Sequence, residues 1–473
     1  MHPRIFLLLF TLCLAWHGRS WAANGEDSVY IDSISVVGNQ KTKAEIILRE
    51  MSLREGDTVA VDKLSSAIEQ SEQMILNTGL FNRASISFKA WEGATGRVHL
   101  LVTVEETWFV YPIPIFELAD RNFNVWWVEQ NRSLERTNYG MDFAHINVSG
   151  RNDRLKASVK YGYTRRYSLS YTMPYVNTAR TLGLSADVTF LRNREVNYQT
   201  EENKQAFFER EDAFMLDRFS VNLGAIYRPA IQTYHRFNLR FHQNRVGQEV
   251  AHDLNPNFFL HGRHLQRFLA LRYQFFYENR DVAPYPWEGS FLSAELEKEG
   301  LGVWKERSGL TLTAAYGQYF PFGERWSLGM EARGKVSLIR SPQPYRENRA
   351  IGFGDTNVQG FEYYIIDGLD MGMLSSSLKF RFWDNRIYFG KLMPISAFRT
   401  MPFRLHLTFN SDFGYVNSPH TSVELNNFLN NRLLWGGGVG LDIVLFYDKV
   451  IRIEYSVNDL LENGLFLHLS MNI

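Results

Sequence analysis

From about Asn122 to Ile473 the chain alternates apolar and polar residues in segments of about ten, and this period of two limits the possible folds more than any other feature. A period of two belongs to extended strands, whose successive side chains point to opposite faces. Leu269, Leu271, Tyr273, Phe275 and Tyr277 alternate with Ala270, Arg272, Gln274, Phe276 and Glu278. Phe403, Leu405, Leu407 and Phe409 alternate with Arg404, His406, Thr408 and Asn410. Ile451, Ile453, Tyr455 and Val457 alternate with Arg452, Glu454 and Ser456. The last segment sets Leu465, Leu467, Leu469, Met471 and Ile473 against Phe466, His468, Ser470 and Asn472. A soluble sandwich also alternates, with turns about every 8–12 residues. Here the polar face carries Arg, Lys and Glu repeatedly, and Tyr and Phe gather near segment ends. A polar interior inside an apolar exterior with aromatic girdles accounts for both features. About sixteen such segments occur, an even number as expected of a bacterial barrel. The predicted fold is mostly β: a sixteen-stranded antiparallel transmembrane β-barrel over 122–473, preceded by one small α+β domain.

The start of the chain predicts export. His2 and Arg4 give a basic start, and Ile5 to Trp16 is an apolar run of signal-peptide length, too short for a spanning helix. Ser20-Trp21-Ala22 supplies small residues for cleavage near Ala22 or Ala23, so residues 1–22 are expected to be a signal peptide. The only cysteine, Cys13, leaves with it, and the mature chain then has no thiol chemistry. Lys and Arg together number 51, as do Asp and Glu, which argues against a nucleic-acid partner. Beyond the signal no apolar run approaches the roughly 18 residues of a spanning helix.

Residues 28–106 differ in texture. Val29 to Val37 alternates and ends at Gly38-Asn39, a strand and a turn. Thr42 can cap a helix bearing Ile46, Ile47 and Met51 that stops near Gly56-Asp57. Asp62 opens a second helix with Leu64, Ile68, Met74 and Ile75 on one face, closed by Gly79. Ala84 to Phe88 and Val98 to Val104 alternate again. Residues 107–121 read as a linker. Residues 339–372 form a long gap with Pro342, Pro344 and glycines at 352, 354, 360 and 368. A connection of that length is expected to be functional or disordered, and Phe353, Phe361, Tyr363 and Tyr364 argue against disorder.

Three groups of residues carry a family resemblance. The first is Ile34-Ser35-Val36-Val37-Gly38-Asn39, then Gly56-Asp57, then Asn77-Thr78-Gly79-Leu80-Phe81 before a strand. The second is Val358-Gln359-Gly360-Phe361 in the long gap between the eleventh and twelfth predicted strands. The third is Phe409-Asn410-Ser411-Asp412-Phe413-Gly414, followed by Gly436-Gly437-Gly438-Val439-Gly440 and the alternating C-terminal strand. Together they resemble the BamA/TamA superfamily of outer-membrane assembly and translocation proteins, also called the bacterial surface antigen family. The resemblance implies a single periplasmic POTRA (polypeptide-transport-associated) domain at 28–106. It implies a barrel whose long sixth extracellular loop folds back into the lumen.

The implied site residues are Val358, Gln359, Gly360 and Phe361 at the loop tip, with Asp412 and Gly414 on the facing strand. Gly464, Leu465, Leu467, Leu469, Met471 and Ile473 form the implied insertion signal and seam. Gly38, Asn39, Gly56, Asp57, Gly79 and Phe81 form the POTRA motif. Two departures stand out: Gln359 occupies the family's arginine position, and the chain ends in Ile473 rather than an aromatic residue. Asp412 then needs another cation, for which Arg404 and Arg381 share its lumen parity. The resemblance implies insertion or translocation of polypeptides. The implied partners are the outer-membrane bilayer, extended polypeptide clients and accessory periplasmic lipoproteins.

Two other readings stay open. One is a passive or plugged pore without assembly activity, whose mixed lumen charges predict no ion preference. The more remote one is an outer-membrane enzyme. Ser411 has the wrong parity to work with Asp412 and His406, and the twelve histidines show no metal-ligand spacing. No catalytic residue, cofactor site or metal site is therefore expected.

Overall fold

The computed structural model describes residues 28–92, 96–177, 179–304, 307–354, 356–390, 399–420, 422–445 and 449–470. The signal-peptide reading of residues 1–22 lies outside these, as do Met471 and Ile473. The described residues form two units, one of Ile47–Glu106 with the residues before Lys41, the other of Lys41–Ile46 with the residues from Thr107 on.

The first unit is the small α+β domain. Its sheet has the order β2-β1-β4-β3, formed by β1 (Ser28–Val37), β2 (Thr58–Ala60), β3 (Phe81–Glu92) and β4 (Arg97–Glu106). β1 runs parallel to β4, and the other pairs are antiparallel. Helices α1 (Ala44–Arg49) and α2 (Val61–Asn77) occupy the two predicted helical stretches. Leu64 and Ile75 on α2 are buried, as are Ile31, Val98, Leu100 and Val102 on the sheet, so the two periods meet in one core. Gly38 sits at φ +90°, and an added Cβ would lie 1.9 Å from the Val104 carbonyl oxygen, so only glycine closes this turn. Gly56 and Gly79 also have positive φ. The Asp57 carboxylate accepts the Arg54 N–H at 2.8 Å, and Phe81 is buried. The predicted motif residues thus sit at the turns and edges that shape this sheet.

The second unit is one 16-stranded antiparallel sheet. It begins with β5 (Val110–Leu118), β6 (Thr137–Ile146), β7 (Arg154–Gly162), β8 (Thr164–Met173) and β9 (Leu182–Asn193). A short separate hairpin follows, β10 (Glu195–Glu201) with β11 (Lys204–Glu209). The main sheet resumes with β12 (Leu216–Tyr227), β13 (Thr233–Val246), β14 (Leu265–Glu278), β15 (Gly289–Glu299), β16 (Gly309–Phe322) and β17 (Trp326–Ser337). A second small pair, β18 (Arg349–Ile351) and β19 (Ile366–Asp367), lies inside the long loop. The sheet ends with β20 (Asp370–Tyr388), β21 (Thr400–Asn417), β22 (Leu433–Val444), β23 (Val450–Asn458) and β24 (Asn463–Ser470). The long loop, 338–369, falls between the eleventh and twelfth strands of the main sheet, as expected. The alternation is realised side chain by side chain. On β21, His406, Thr408, Asn410 and Asp412 are buried, whereas Phe409, Phe413 and Tyr415 are exposed to the exterior.

The expected start of the barrel is corrected. Residues 107–121 are not a linker, because they contain β5, the first strand of the sheet. Asn122 to Val128, which alternates in sequence, instead leads into a short π-helical turn, Val125–Glu129. Pro112 and Pro114 hid the true strand, since proline removes ladder donors and argues against an interior strand. They are tolerated because β5 is an edge, paired only with β6 among the described residues.

The backbone phase of that edge follows from its ends. Ala119 N–H donates to the Arg136 carbonyl at 2.8 Å, and Ile146 N–H donates to the Phe109 carbonyl at 2.7 Å. Odd-numbered residues of β5 therefore bond to β6, and even-numbered ones face the free edge. Pro112 and Pro114 are both even, so this edge lacks two of its N–H donors. At the other end of the sheet, Asn458 N–H donates to the Glu462 carbonyl at 3.0 Å. Even residues of β24 therefore bond to β23, and Leu465 and Leu467 present their backbone to the free edge. No backbone pairing joins β5 to β24 among the described residues. A side chain brings the two ends of the sheet together: Asn124 Nδ2 donates to the Leu465 carbonyl at 3.3 Å.

An otherwise closed sheet keeps its fold in detergent until heated. The mature protein should migrate faster unheated than boiled on a semi-native gel and should fractionate with outer membranes. A soluble protein with no mobility shift would refute the barrel.

Candidate functional site

The loop 338–369 is held by its own small hairpin, β18 with β19. Its tip carries Val358, Gln359, Gly360 and Phe361. Val358 and Phe361 are buried in a cluster with Ile351, Ile366, Met371, Val416 and Leu434. The loop is therefore packed onto the far end of β20 to β22, not left free. Apolar burial of this kind stabilises by roughly 1.5–3 kcal/mol per large side chain.

The tip sits on one cross-strand row. Asp412 pairs in register with Gly436, and Gly436 with Asn458. Gln359 N–H donates to Asp412 Oδ2 at 3.2 Å. Asn458 Nδ2 donates to the Gly360 carbonyl at 2.7 Å. Between them, a Cβ on Gly436 would lie 1.7 Å from the Gln359 carbonyl oxygen, so glycine is required for the tip to approach. A Cβ on Gly414 would lie 2.7 Å from a Val358 methyl carbon. Gly360 itself has φ +76°, and its backbone rests against Val457 and Asn458. The glycine-rich strand is thus a shallow seat for the loop.

Position 359 differs from the sequence expectation. Asp412 meets the tip, but through the backbone N–H of Gln359. The Gln359 side chain turns toward β23 and donates from Nε2 to Glu454 Oε2 at 3.2 Å. Asn410 Nδ2 donates to the same oxygen at 2.8 Å. The acid that faces the family's arginine position is therefore Glu454, which was not singled out from sequence. Its parity with Arg452 and Ser456 was the available signal. Neither expected cation reaches Asp412. Arg381 pairs with Asp384 at 3.6 Å and donates to the Glu324 carbonyl at 2.7 Å. Arg404 lies in register with Asp384, eight residues along the strand from Asp412, or about 26 Å.

Other segments hold the loop from its sides. Arg121 donates to the Tyr364 carbonyl at 3.0 Å, and Asn122 to the Glu362 carbonyl at 2.9 Å. Phe466 on β24 packs its ring 5.6 Å from that of Tyr363. Gly464 makes room for that Phe466 ring, whose edge a Cβ would meet at 2.9 Å. Leu465 is exposed on the outer face, as its parity requires. The tip of the β10–β11 hairpin reaches over as well: Ile365 N–H donates to the Asn203 carbonyl at 2.8 Å.

A second inward segment was not foreseen. The turn 279–288, at the opposite end of the lumen, folds in across the barrel. Tyr285 donates its hydroxyl to Asp442 Oδ2 at 3.0 Å, and Lys379 donates to the Pro286 carbonyl at 2.9 Å. Asp442 also holds Arg452 through two bonds, at 2.7 and 2.9 Å. The only sequence signal was the density of Pro284-Tyr285-Pro286-Trp287 in a turn.

A family model described as Omp85 superfamily domain matches residues 147–445. A second, POTRA, described as a surface antigen variable number repeat, matches residues 29–107. Among curated proteins, none matches significantly. BamA from Haemophilus ducreyi, in a crystal structure lacking POTRA domains 1–3, is similar at 13% identity and TM-score 0.52, covering 93% of this chain and 83% of that one. CdiB from Acinetobacter baumannii is similar at 15% identity and TM-score 0.49, covering 94% of this chain and 74% of that one. CdiB from Escherichia coli is similar at 10% identity and TM-score 0.49, covering 96% of this chain and 92% of that one.

Two outcomes are expected. Gln359→Arg should stabilise the loop by pairing with Glu454. In a double-mutant cycle on the temperature of the gel shift, Glu454→Gln should erase a coupling of about 1–3 kcal/mol. Additive effects would show that the two side chains do not meet. In planar bilayers the intact protein should conduct weakly and intermittently, and deleting residues 350–365 should raise conductance. A large steady conductance in the intact protein would refute a lumen obstructed by this loop.

Proposed function

The chain belongs to the Omp85 superfamily, and from that premise we propose that it inserts or translocates polypeptides at the outer membrane, using the β5–β24 seam as its working edge. It is an outer-membrane barrel with a periplasmic POTRA domain. The observation that carries the proposal is the pair of prolines on the seam side of β5. A barrel in lipid gains stability from pairing every backbone group. Here the free edge of β5 lacks the donors of residues 112 and 114, and the seam side of β24 uses the Leu465 carbonyl for the Asn124 side chain. Among the described residues, parting these strands costs fewer backbone hydrogen bonds than parting any other neighbours in the sheet. The edge exposed on opening can template an incoming strand, which spares the client an unpaired edge in hydrocarbon.

The POTRA domain supports delivery. Its β3 is an edge strand with Phe88 and Trp91 exposed, a surface suited to strand addition by an extended chain. Such binding draws affinity from backbone bonds and needs little client sequence, so the proposed clients are extended polypeptides crossing the periplasm. Accessory periplasmic lipoproteins are further partners that the family resemblance suggests.

Tethering tests the seam. Cysteines introduced in pairs between 110–116 on β5 and 463–467 on β24 have Cys13 alone as a competing thiol, and the signal peptide is expected to carry it away. A disulfide forms where Cα atoms come within about 7 Å. Oxidation should stop client assembly and reductant should restore it. Replacing Pro112 and Pro114 together with valine should act in the same direction by degrees, with a higher gel-shift temperature and slower assembly. Full activity in a completely crosslinked protein would reject lateral opening and leave a pore or scaffold.

A further inference from the structure

The lumen beside the loop tip holds more negative charge than it neutralises. Glu362 on the loop, Glu454 on β23 and Asp412 on β21 converge there, and all three are buried. Arg452 lines the same cavity with both of its bonds on Asp442, and it and Arg121 offset only part of the charge of the three acids. Lys379 donates to the Pro286 carbonyl. Among the described residues, His468 Nε2 comes within 3.8 Å of Glu362 Oε1, a contact that carries charge only when the imidazole is protonated. Burying several carboxylates without enough cations is strongly unfavourable, so protons or a bound cation must balance them.

The ligand atoms favour a cation. One donor atom each from Glu362, Glu454 and His468 lies within 4.8 Å of the others. An independent observation points into the same place. Asn410 is only 7% exposed and lines the cavity; its nitrogen serves Glu454, but its Oδ1 has no partner. Gln359 Oε1, Glu362 Oε2 and Glu454 Oε1 are likewise buried without a partner. Orphaned acceptors facing one another are repulsive unless something positive sits between them. Gln359, Glu362, Asn410 and His468 line one cavity of about 380 Å³, ample for an ion with a water, and Glu454 adjoins it through its bonds from Asn410 and Gln359. His-x-x-x-His spacing could not reveal such a site, because its ligands come from a loop and two strands about a hundred residues apart.

We propose that Glu362, Glu454 and His468, with the side-chain oxygens of Gln359 and Asn410 around them, bind one divalent transition-metal cation of the zinc class. An imidazole with two carboxylates suits zinc or manganese better than calcium or magnesium, which take oxygen alone. The cation occupies the position where the related family carries a guanidinium. It ties the loop to the last two strands, so loop seating at the seam depends on metal supply. The inference does not rest on lateral opening at the seam, and its test does not use client assembly.

The refolded mature chain in detergent, stripped with EDTA, is titrated with Zn2+, Mn2+, Mg2+ and Ca2+ by calorimetry, and with Co2+ for its visible absorption. One Zn2+ per chain is expected, bound about a hundredfold tighter than Mg2+ or Ca2+. Glu454→Gln and His468→Ala should each weaken binding about tenfold or more and remove the Co2+ band. Gln359→Arg should abolish binding while the protein stays heat-modifiable, because the guanidinium takes the cation's place. The gel-shift temperature of the wild type should rise with Zn2+, and that of Gln359→Arg should not. A folded wild type that binds no Zn2+ would show that protons balance the acids and would overturn the proposal. So would zinc binding unchanged in Glu454→Gln and His468→Ala, which would place the ion at surface histidines such as His261 and His264. Preference for Ca2+ or Mg2+ would overturn the assignment of the imidazole.

Discussion

A backbone inside hydrocarbon has no water to bond to, so a sheet that spans a membrane must bring its two edges together or leave them unsatisfied. That requirement orders the rest of this molecule. Among the described residues fifteen of the sheet's strand junctions are backbone ladders, one of them with a bulge near Arg381. The sixteenth is where β5 offers Pro112 and Pro114, and where Asn124 caps a carbonyl of β24. The segment that follows β5 concentrates its polar side chains on this junction and on the loop beside it, with Arg121 and Asn122 on the loop and Asn124 on the last strand. The seam is thus held by side chains, which exchange partners more easily than a backbone ladder does.

The lumen follows a second constraint, close packing of a polar interior. The loop tip could not reach the wall if strand β22 carried ordinary side chains at 436, so a glycine strand and a buried loop require each other. With glutamine at 359 the tip keeps its hydrogen-bonded position through its backbone, and charge neutralisation becomes a separate problem for Glu362, Glu454 and Asp412. Position in the seat and charge in the lumen are met by different atoms here. A bidentate guanidinium would meet both at once.

Much of this was legible in the sequence, for definite reasons. Strict alternation such as Phe403 to Asn410 specifies both the strand and which residues face the lumen, because the pleat has a period of two. The loop was legible as a gap in that alternation, Gly38 as a turn, and Gly414 and Gly436 only as parts of resembling motifs, because the backbone that crowds them belongs to distant segments. Prolines hid β5, since a strand with missing donors looks like a linker until its place at the edge is known. Alternation in Asn122 to Val128 misled in the other direction, because a short apolar run fits a helical turn as well as a strand. The partner of position 359 was not legible either. Parity put Asp412, Arg381 and Arg404 on one face but carries no information about distance along the barrel axis, which separates the arginines from the tip.

The seat of the loop also sets an order of events. Its three supports, Asp412, Gly436 and Asn458, stand on three successive strands near the end of the chain, whereas the tip they hold lies some fifty to a hundred residues earlier. The polar row is complete only when β21, β22 and β23 are all paired, whereas the apolar cluster under the tip draws on β20 to β22 alone. A wall that lacks β23 could hold the tip by its apolar side only, so full seating of the loop reports that the last strands are in place.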